Sequence, residues 1–217
     1  MSSLIFVAAF GLLILLLTAE KRDSLIGKLI FKPLLSALFI TVALLQPRPE
    51  AAFAAWVLAG LSLSWVGDVL LIFKSRATFM AGLVAFLLGH VCYVAAFYGL
   101  GHWGIWSAGA LVILAAVGLL VFNWLRPGLA GMRVPVAAYI IVISAMVAGA
   151  LAVGAAPDVP VAGRWIVPAG AIAFYLSDLC VARDQFMARA FINRWIGLPL
   201  YYLGQFLLAL SIGMVGA

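Results

Sequence analysis

The chain has very little charge for its length. Of its 217 residues only 9% are charged, while 67% are hydrophobic and the mean hydropathy is +1.25. A soluble domain carries about 25% charged residues. So few charges do not cover a water-facing surface, which excludes an ordinary soluble domain and predicts that lipid surrounds most of the chain.

Cysteine and histidine are also scarce. The two cysteines, Cys92 and Cys180, lie within apolar runs, so a disulfide framework is not expected. With His90 and His102 as the only histidines, and on different sides of the expected membrane, a three-histidine zinc site is excluded. The chain also lacks a nucleophile-elbow, P-loop or dinucleotide-binding motif. We therefore expect neither a metal nor a cofactor.

The charge that is present is mostly basic, with 13 Lys and Arg against 7 Asp and Glu. These residues lie in short segments between apolar runs, whereas nucleic-acid-binding proteins gather them on a face or an arm. They are typical of topology signals and of contacts with anionic lipid headgroups. Membrane lipids are therefore the expected partners, with no nucleic acid and no obligate protein partner evident.

The uncharged stretches predict about eight transmembrane helices and a single integral membrane domain over residues 1–217. Interrupted only by Lys32, Asp68 and Asp178, they cover residues 1–19, 29–47, 51–73, 77–125 (two crossings, broken at the glycines of 99–104), 134–157, 165–182 and 195–217. The first stretch lacks the basic start of a signal peptide, so we interpret it as a retained span. The fold class is thus all-α, a polytopic helix bundle.

Lys and Arg alternate strongly between the two sides of this bundle. The segments after spans 1, 3, 5 and 7 carry 11 of the 13, and the other side carries only Arg48 and Arg164. The positive-inside rule places the richer side in the cytoplasm and both termini outside. For so compact a chain we expect a bacterial inner membrane, although an internal eukaryotic membrane fits the same pattern.

Two pairs of short motifs suggest an internal repeat of four plus four helices. Residues 67–70 read GDVL near the end of span 3, and residues 177–179 read SDL near the end of span 7. The following spans carry LGH at 88–90 and LGQ at 203–205. Two halves of the same topology would explain both pairs.

Asp68 and Asp178 stand out, because a carboxylate within a membrane span is costly and usually faces the bundle interior at a functional site. Asp68 lies six residues before Lys74, and Asp178 lies five residues before Arg183. Both carboxyls are therefore expected about 7–9 Å inside the cytoplasmic boundary of the membrane. The alternative is a structural pair with Lys or Tyr across helices. We expect the two carboxyls to form a functional site.

Other polar groups would share this layer and are candidates for substrate binding. They are Lys28, Lys32, Ser64, His90, Asn123, Tyr139, Tyr201, Tyr202 and Gln205. Each has a simpler explanation: the lysines as topology signals, His90 as a packing histidine, and Tyr201 and Tyr202 as members of an interfacial aromatic belt.

The ordered set of motifs resembles the YhhN-like lysoplasmalogenase family. It comprises KPL at 32–34, GDVL at 67–70, the spacing FxxGLxxFxxGHxxY at 79–93, SDL at 177–179 and YYxxQ at 201–205. The resemblance covers nearly the whole chain.

The resemblance implies hydrolysis of the vinyl ether bond of lysoplasmalogens to a fatty aldehyde and glycerophosphoethanolamine or glycerophosphocholine. It assigns Asp68 and Asp178 as the catalytic pair, without saying which carboxyl is the acid, and it makes a lysophospholipid the substrate. Lys28 or Lys32 would hold the phosphate. Three alternatives remain: a proton-coupled small-molecule transporter, a lipid-binding protein without catalysis, and a hydrolase of another lysolipid.

Overall fold

The computed structural model describes residues 2–216, and every regular element in that range is a helix. Met1 and Ala217, the ends of the expected domain, lie outside it. The helices are α1 (Ser2–Lys21), α2 (Leu25–Leu44), α3 (Ala51–Leu70), α4 (Arg76–Leu100), α5 (Ile105–Leu125), α6 (Arg133–Gly154), α7 (Val161–Phe186) and α8 (Phe191–Ser211). Short 3-10 turns at Arg126–Gly128 and Ala130–Met132 join α5 to α6.

The structure confirms the polytopic helical bundle. Among the described residues, seven helices are long and apolar enough to cross a membrane. The remaining helix, α8, has 21 residues, which is also a crossing length, but its sequence is more polar.

The predicted bounds of the last two spans were wrong. α7 starts before and ends after the predicted 165–182, and α8 begins four residues before the predicted 195. Charged residues were taken as boundaries, yet paired charges are tolerated in the end turns of a helix. As a consequence, Tyr201 lies not in the first turns of α8 but about 15 Å along it.

The two halves have matching geometry, as the motifs predicted. α7 begins 110 residues after α3, and α8 begins 115 residues after α4. At equivalent positions, Gly89 of α4 packs over the carbonyl of Gly60, and Gly204 of α8 packs over the carbonyl of Gly170. Small residues let helix backbones approach closely in membranes. Each half therefore contains the same glycine-mediated helix pair, α3–α4 and α7–α8.

We expect Gly204→Ala to destabilise the protein by about 1–3 kcal/mol, because overpacking a close helix contact forces backbone shifts. The new Cβ would lie 2.9 Å from the Gly170 carbonyl oxygen and 3.0 Å from the Phe174 nitrogen, both backbone atoms. Gly109→Ala is the matched control, since a Cβ there meets nothing within 4 Å. Equal melting temperatures of the two variants in detergent would contradict the packing role.

α5 is the helix least packed against the rest of the bundle. Its main neighbour is α6, and its outward residues Val112, Leu119 and Leu120 are between 65% and 71% exposed. Such apolar exposure is suited to lipid. The well-packed core lies instead among α2, α3, α4, α6, α7 and α8, around buried rings such as Phe39, Tyr93 and Phe174.

Candidate active site

A cavity of about 980 Å³ opens at the end of the bundle where the Lys- and Arg-rich connections meet. The ends of the α1–α2, α3–α4, α5–α6 and α7–α8 connections surround its mouth. Of the residues predicted for the site, the cavity is lined by Lys28, Lys32, Asp68, Tyr139, Asp178 and Tyr201. Side chains from five helices thus come together around one space.

Asp68 lies in the cavity wall and is only 1% exposed. One carboxylate oxygen lies 3.1 Å from the Lys32 ammonium. The other accepts hydrogen bonds from the Ser36 and Tyr201 hydroxyls, each at 2.6 Å. One cation and two hydroxyl donors thus compensate this buried carboxyl group.

Asp178 has a different environment. Its side chain is 15% exposed, and one oxygen accepts a hydrogen bond from the Tyr139 hydroxyl at 2.7 Å. The same oxygen lies 3.5 Å from Nε2 of His90. Within residues 2–216, no Lys or Arg lies in ion-pair range of Asp178. The two carboxyls therefore share a cavity but differ in charge compensation.

The repeat explains where these partners come from. Asp68 of α3 is contacted by α2, in its own half, and by α8, the last helix of the other half. Asp178 of α7 is contacted by α6, in its own half, and by α4, the last helix of the other half. Equivalent helices thus present different side chains to the two carboxyls.

A layer of predicted residues lies behind the cavity wall. Tyr202 is 3.2 Å from the Ser36 hydroxyl, and Gln205 accepts a hydrogen bond from the Tyr93 hydroxyl at 2.8 Å. Ser64 is fully buried in α3 near the same layer. Because Tyr201 and Tyr202 are 5% and 2% exposed, neither belongs to an interfacial belt. Tyr202, Gln205 and Ser64 support the wall, whereas Tyr201 lines the cavity.

Asn123 is the predicted site residue that the structure places elsewhere. It is exposed near the end of α5 and does not line the cavity. Depth in the membrane, which the sequence indicates, does not fix which way a side chain on a peripheral helix points.

Both candidate lysines are buried, at 4% and 8% exposure, so they are more than topology signals. Lys28 is 2.7 Å from Asp23 in the α1–α2 connection, and Lys74 pairs with the same carboxylate. The hydrogen bonds from Lys28 and Lys74 hold the pKa of Asp23 well below its ordinary value. With Lys32 paired to Asp68, neither Lys28 nor Lys32 is a free charge for a phosphate.

The sequence did not predict a charged network at the mouth of the cavity. Arg194 of α8 lies 2.8 Å from Glu20 of α1 and 3.4 Å from Asp184 of α7. Asn193, 4% exposed, donates to Asp184 at 3.0 Å. The missed signal was the cluster of charges at three helix ends, which we interpreted only as boundaries.

Ser36 was missed as well, although it lies one helical turn after Lys32 on the same face of α2. That spacing was a usable signal. No group of three His, Cys, Asp or Glu side chains in the described part of the chain is arranged to hold a metal ion.

Comparison with known proteins agrees with this arrangement. The model of the YhhN family matches residues 27–212. The chain is 33% identical over 166 residues to lysoplasmalogenase TMEM86A of Bos taurus, covering 73% of this chain and 65% of that protein. It is 30% identical over 178 residues to a lysoplasmalogenase of Mycobacterium tuberculosis, covering 79% of this chain and 64% of that protein.

A third relative, lysoplasmalogenase TMEM86B of Rattus norvegicus, is 31% identical over 209 residues, or 95% of this chain and 81% of that protein. The chain thus spans slightly less than two thirds of the length of the bovine and mycobacterial relatives. No solved structure matches the chain. The family match extends from α2 to the end of α8 and includes Asp68, Asp178 and the side chains that contact them, and the chain therefore belongs to the YhhN family.

Proposed function

We propose that this chain hydrolyses the vinyl ether bond of lysoplasmalogens, with Asp178 as the proton donor and Asp68 as the ionised partner. The observation that carries the proposal is the unequal pair of carboxyls in one cavity: Asp68 is paired with Lys32, whereas no Lys or Arg among the described residues pairs with Asp178. The names of the bovine, rat and mycobacterial relatives support the substrate class.

Hydrolysis of a vinyl ether begins when an acid donates a proton to one carbon of the double bond, the carbon that is not bonded to the ether oxygen. Asp178 suits this step because it is more accessible than Asp68 and has no cation to hold it as a carboxylate. A partly buried carboxyl without a counter-ion favours its neutral form, as in other enzymes that use a carboxylic acid as donor.

Proton delivery breaks the Asp178 O–H bond, forms a C–H bond and leaves an oxocarbenium ion. The ionised Asp68 in the cavity wall then stabilises the positive charge, in the way that the second carboxylate of a glycosidase does. Water adds to the cation, and its released proton returns to Asp178. The hemiacetal collapses to aldehyde and alcohol when its hydroxyl proton passes to the ether oxygen.

The shape of the cavity suits a single-chain lipid. Apolar side chains such as Leu83, Phe86 and Ile143 line its inner part, while Lys21 and Arg189 lie at the mouth without a carboxylate partner among the described ion pairs. We infer that the phosphate lies at this polar mouth and the chain inside. By the positive-inside rule, the mouth of the cavity faces the cytoplasm. We infer from the compact chain that the membrane is a bacterial inner membrane.

Purified protein is expected to release a long-chain aldehyde from 1-alkenyl lysophosphatidylethanolamine. The matched 1-alkyl ether, which lacks the double bond, should give no product because it cannot form the oxocarbenium ion by protonation. Release of fatty acid from the 1-acyl analogue alone would instead favour a hydrolase of another lysolipid. No product from any of the three, together with Asp68-dependent proton flux into liposomes, would favour a transporter.

A further inference from the structure

One ring nitrogen of His90 has no hydrogen-bond partner in the described structure. The side chain is fully buried in α4, and its Nδ1 lies 2.6 Å from the carbonyl oxygen of Phe86. A carbonyl oxygen only accepts hydrogen bonds, so Nδ1 carries the hydrogen. In a neutral ring, Nε2 is then unprotonated, and its lone pair is buried inside the protein.

The group that Nε2 faces is the carboxyl of Asp178, whose Oδ2 lies 3.5 Å away. A carboxylate and an imidazole lone pair are both acceptors, and two buried acceptors in contact are unfavourable without a hydrogen between them. One proton, on the carboxyl or on the ring, turns this contact into an attraction.

In the described part of the chain, no Lys or Arg lies in ion-pair range of Asp178 to stabilise this contact. The titratable groups on the elements around the pair are Tyr139 of α6, Tyr93 of α4, Tyr175 and Cys180 of α7, Tyr201 of α8 and Asp68 of α3, and Lys32 is paired with Asp68. On its other side, the His90 ring packs on Phe174, with ring centroids 4.5 Å apart. The surroundings thus consist of neutral hydroxyls, aromatic rings and one carboxylate that is already compensated.

We propose that His90 is a positioning residue that shares a single proton with Asp178 and keeps the donor loaded between turnovers. The shared proton is a property of the resting protein, while its use in turnover rests on the function proposed above. When Asp178 gives its proton to the vinyl carbon, the attacking water later breaks one O–H bond, and that proton restores the His90–Asp178 pair. The cycle therefore consumes only water and the lipid.

Nitrogen NMR can detect the shared proton directly, because the chain has only two histidines. With ¹⁵N-labelled histidine, the His102→Gln variant leaves the ring nitrogens of His90 alone. We expect the Nε2 resonance at neutral pH to have the position of a protonated or strongly hydrogen-bonded nitrogen. Asp178→Leu, which removes the carboxyl, should move it to the position of a bare lone pair.

A bare Nε2 resonance in the His102→Gln protein, or one unchanged by Asp178→Leu, would overturn the proposal. This measurement needs no substrate. A protonated Nε2 resonance without aldehyde release would therefore support the shared proton and reject the proposed function. Aldehyde release with a bare Nε2 resonance would support the function and reject the shared proton.

Kinetics then test the positioning role. His90→Phe keeps an aromatic ring but removes both nitrogens, and we expect it to lower kcat about 100-fold while KM stays within about twofold. His90→Gln should recover part of the loss, because its amide oxygen can accept the hydrogen of Asp178 but cannot carry a proton. Equal kcat values for the two variants, or a change in KM alone, would reject the role.

Discussion

Asp178→Asn is expected to reduce aldehyde release by a factor on the order of 100 to 10,000, the usual contribution of a general acid. The amide keeps the size of the side chain and can still contact Tyr139, but it has no acidic proton to give to carbon. No Lys or Arg within residues 2–216 pairs with Asp178, so replacing its carboxyl by an amide leaves no cation without a partner. We therefore expect a folded, extractable protein with an unchanged melting temperature.

The matched control is Asp158→Asn, in the exposed connection between α6 and α7 at the other end of the bundle. It makes the same chemical change far from the cavity and should leave activity at the wild-type level. Aldehyde release measured on both purified variants decides the result. Near-normal turnover by Asp178→Asn would remove this residue from the chemistry.

Lys32→Met is expected to inactivate the protein and also to destabilise it, by about 3–5 kcal/mol, because it leaves the Asp68 charge buried and unpaired. Lys32 and Asp68 are 10% and 2% exposed at their side chains, so little solvent is available to replace the lost partner. We expect a large fall in melting temperature in detergent.

The double variant Lys32→Met, Asp68→Asn separates the two effects. Replacing a whole buried ion pair by neutral groups is often neutral or stabilising, so the melting temperature should return to near that of wild type. Activity should stay absent, since no carboxylate remains to stabilise the cation. A double variant that regains turnover would show that Asp68 is structural, and a Lys32→Met protein of normal stability with only a raised KM would favour phosphate binding by Lys32.

Much of the fold follows from the sequence, because in a membrane the pattern of charges is closely tied to helix crossings. The uncharged stretches predicted eight helices, and the equal depth of Asp68 and Asp178 predicted a shared layer. The predicted bounds of α7 and α8 were wrong because the charged residues there are paired within the helix ends. Arg183 donates a hydrogen bond to Asn193, and Arg194 forms an ion pair with Asp184.

The sequence does not predict which side chains contact each carboxyl. Lys28 and Lys32 are both basic residues near the start of α2, yet one pairs with a connecting segment and the other with Asp68. The two lysines lie one helical turn apart on the same face of α2, so which carboxylate each meets depends on the axial position of α2 relative to α3 and on the path of the α1–α2 connection. Packing against α3 and α8 sets that position, and no local pattern in the sequence records it.

The two halves differ in length at one place. The offset between equivalent helices grows from 110 for α3 and α7 to 115 for α4 and α8, so five additional residues lie before the start of α8, in the stretch that carries Asp184. A pocket made of two equal halves would accept an elongated molecule in two orientations, related by half a turn about the axis of the pocket. The inserted residues form one side of the mouth only, and thereby make these two orientations unequal. A lipid would then be held in one orientation and always present its reactive bond to the same carboxyl.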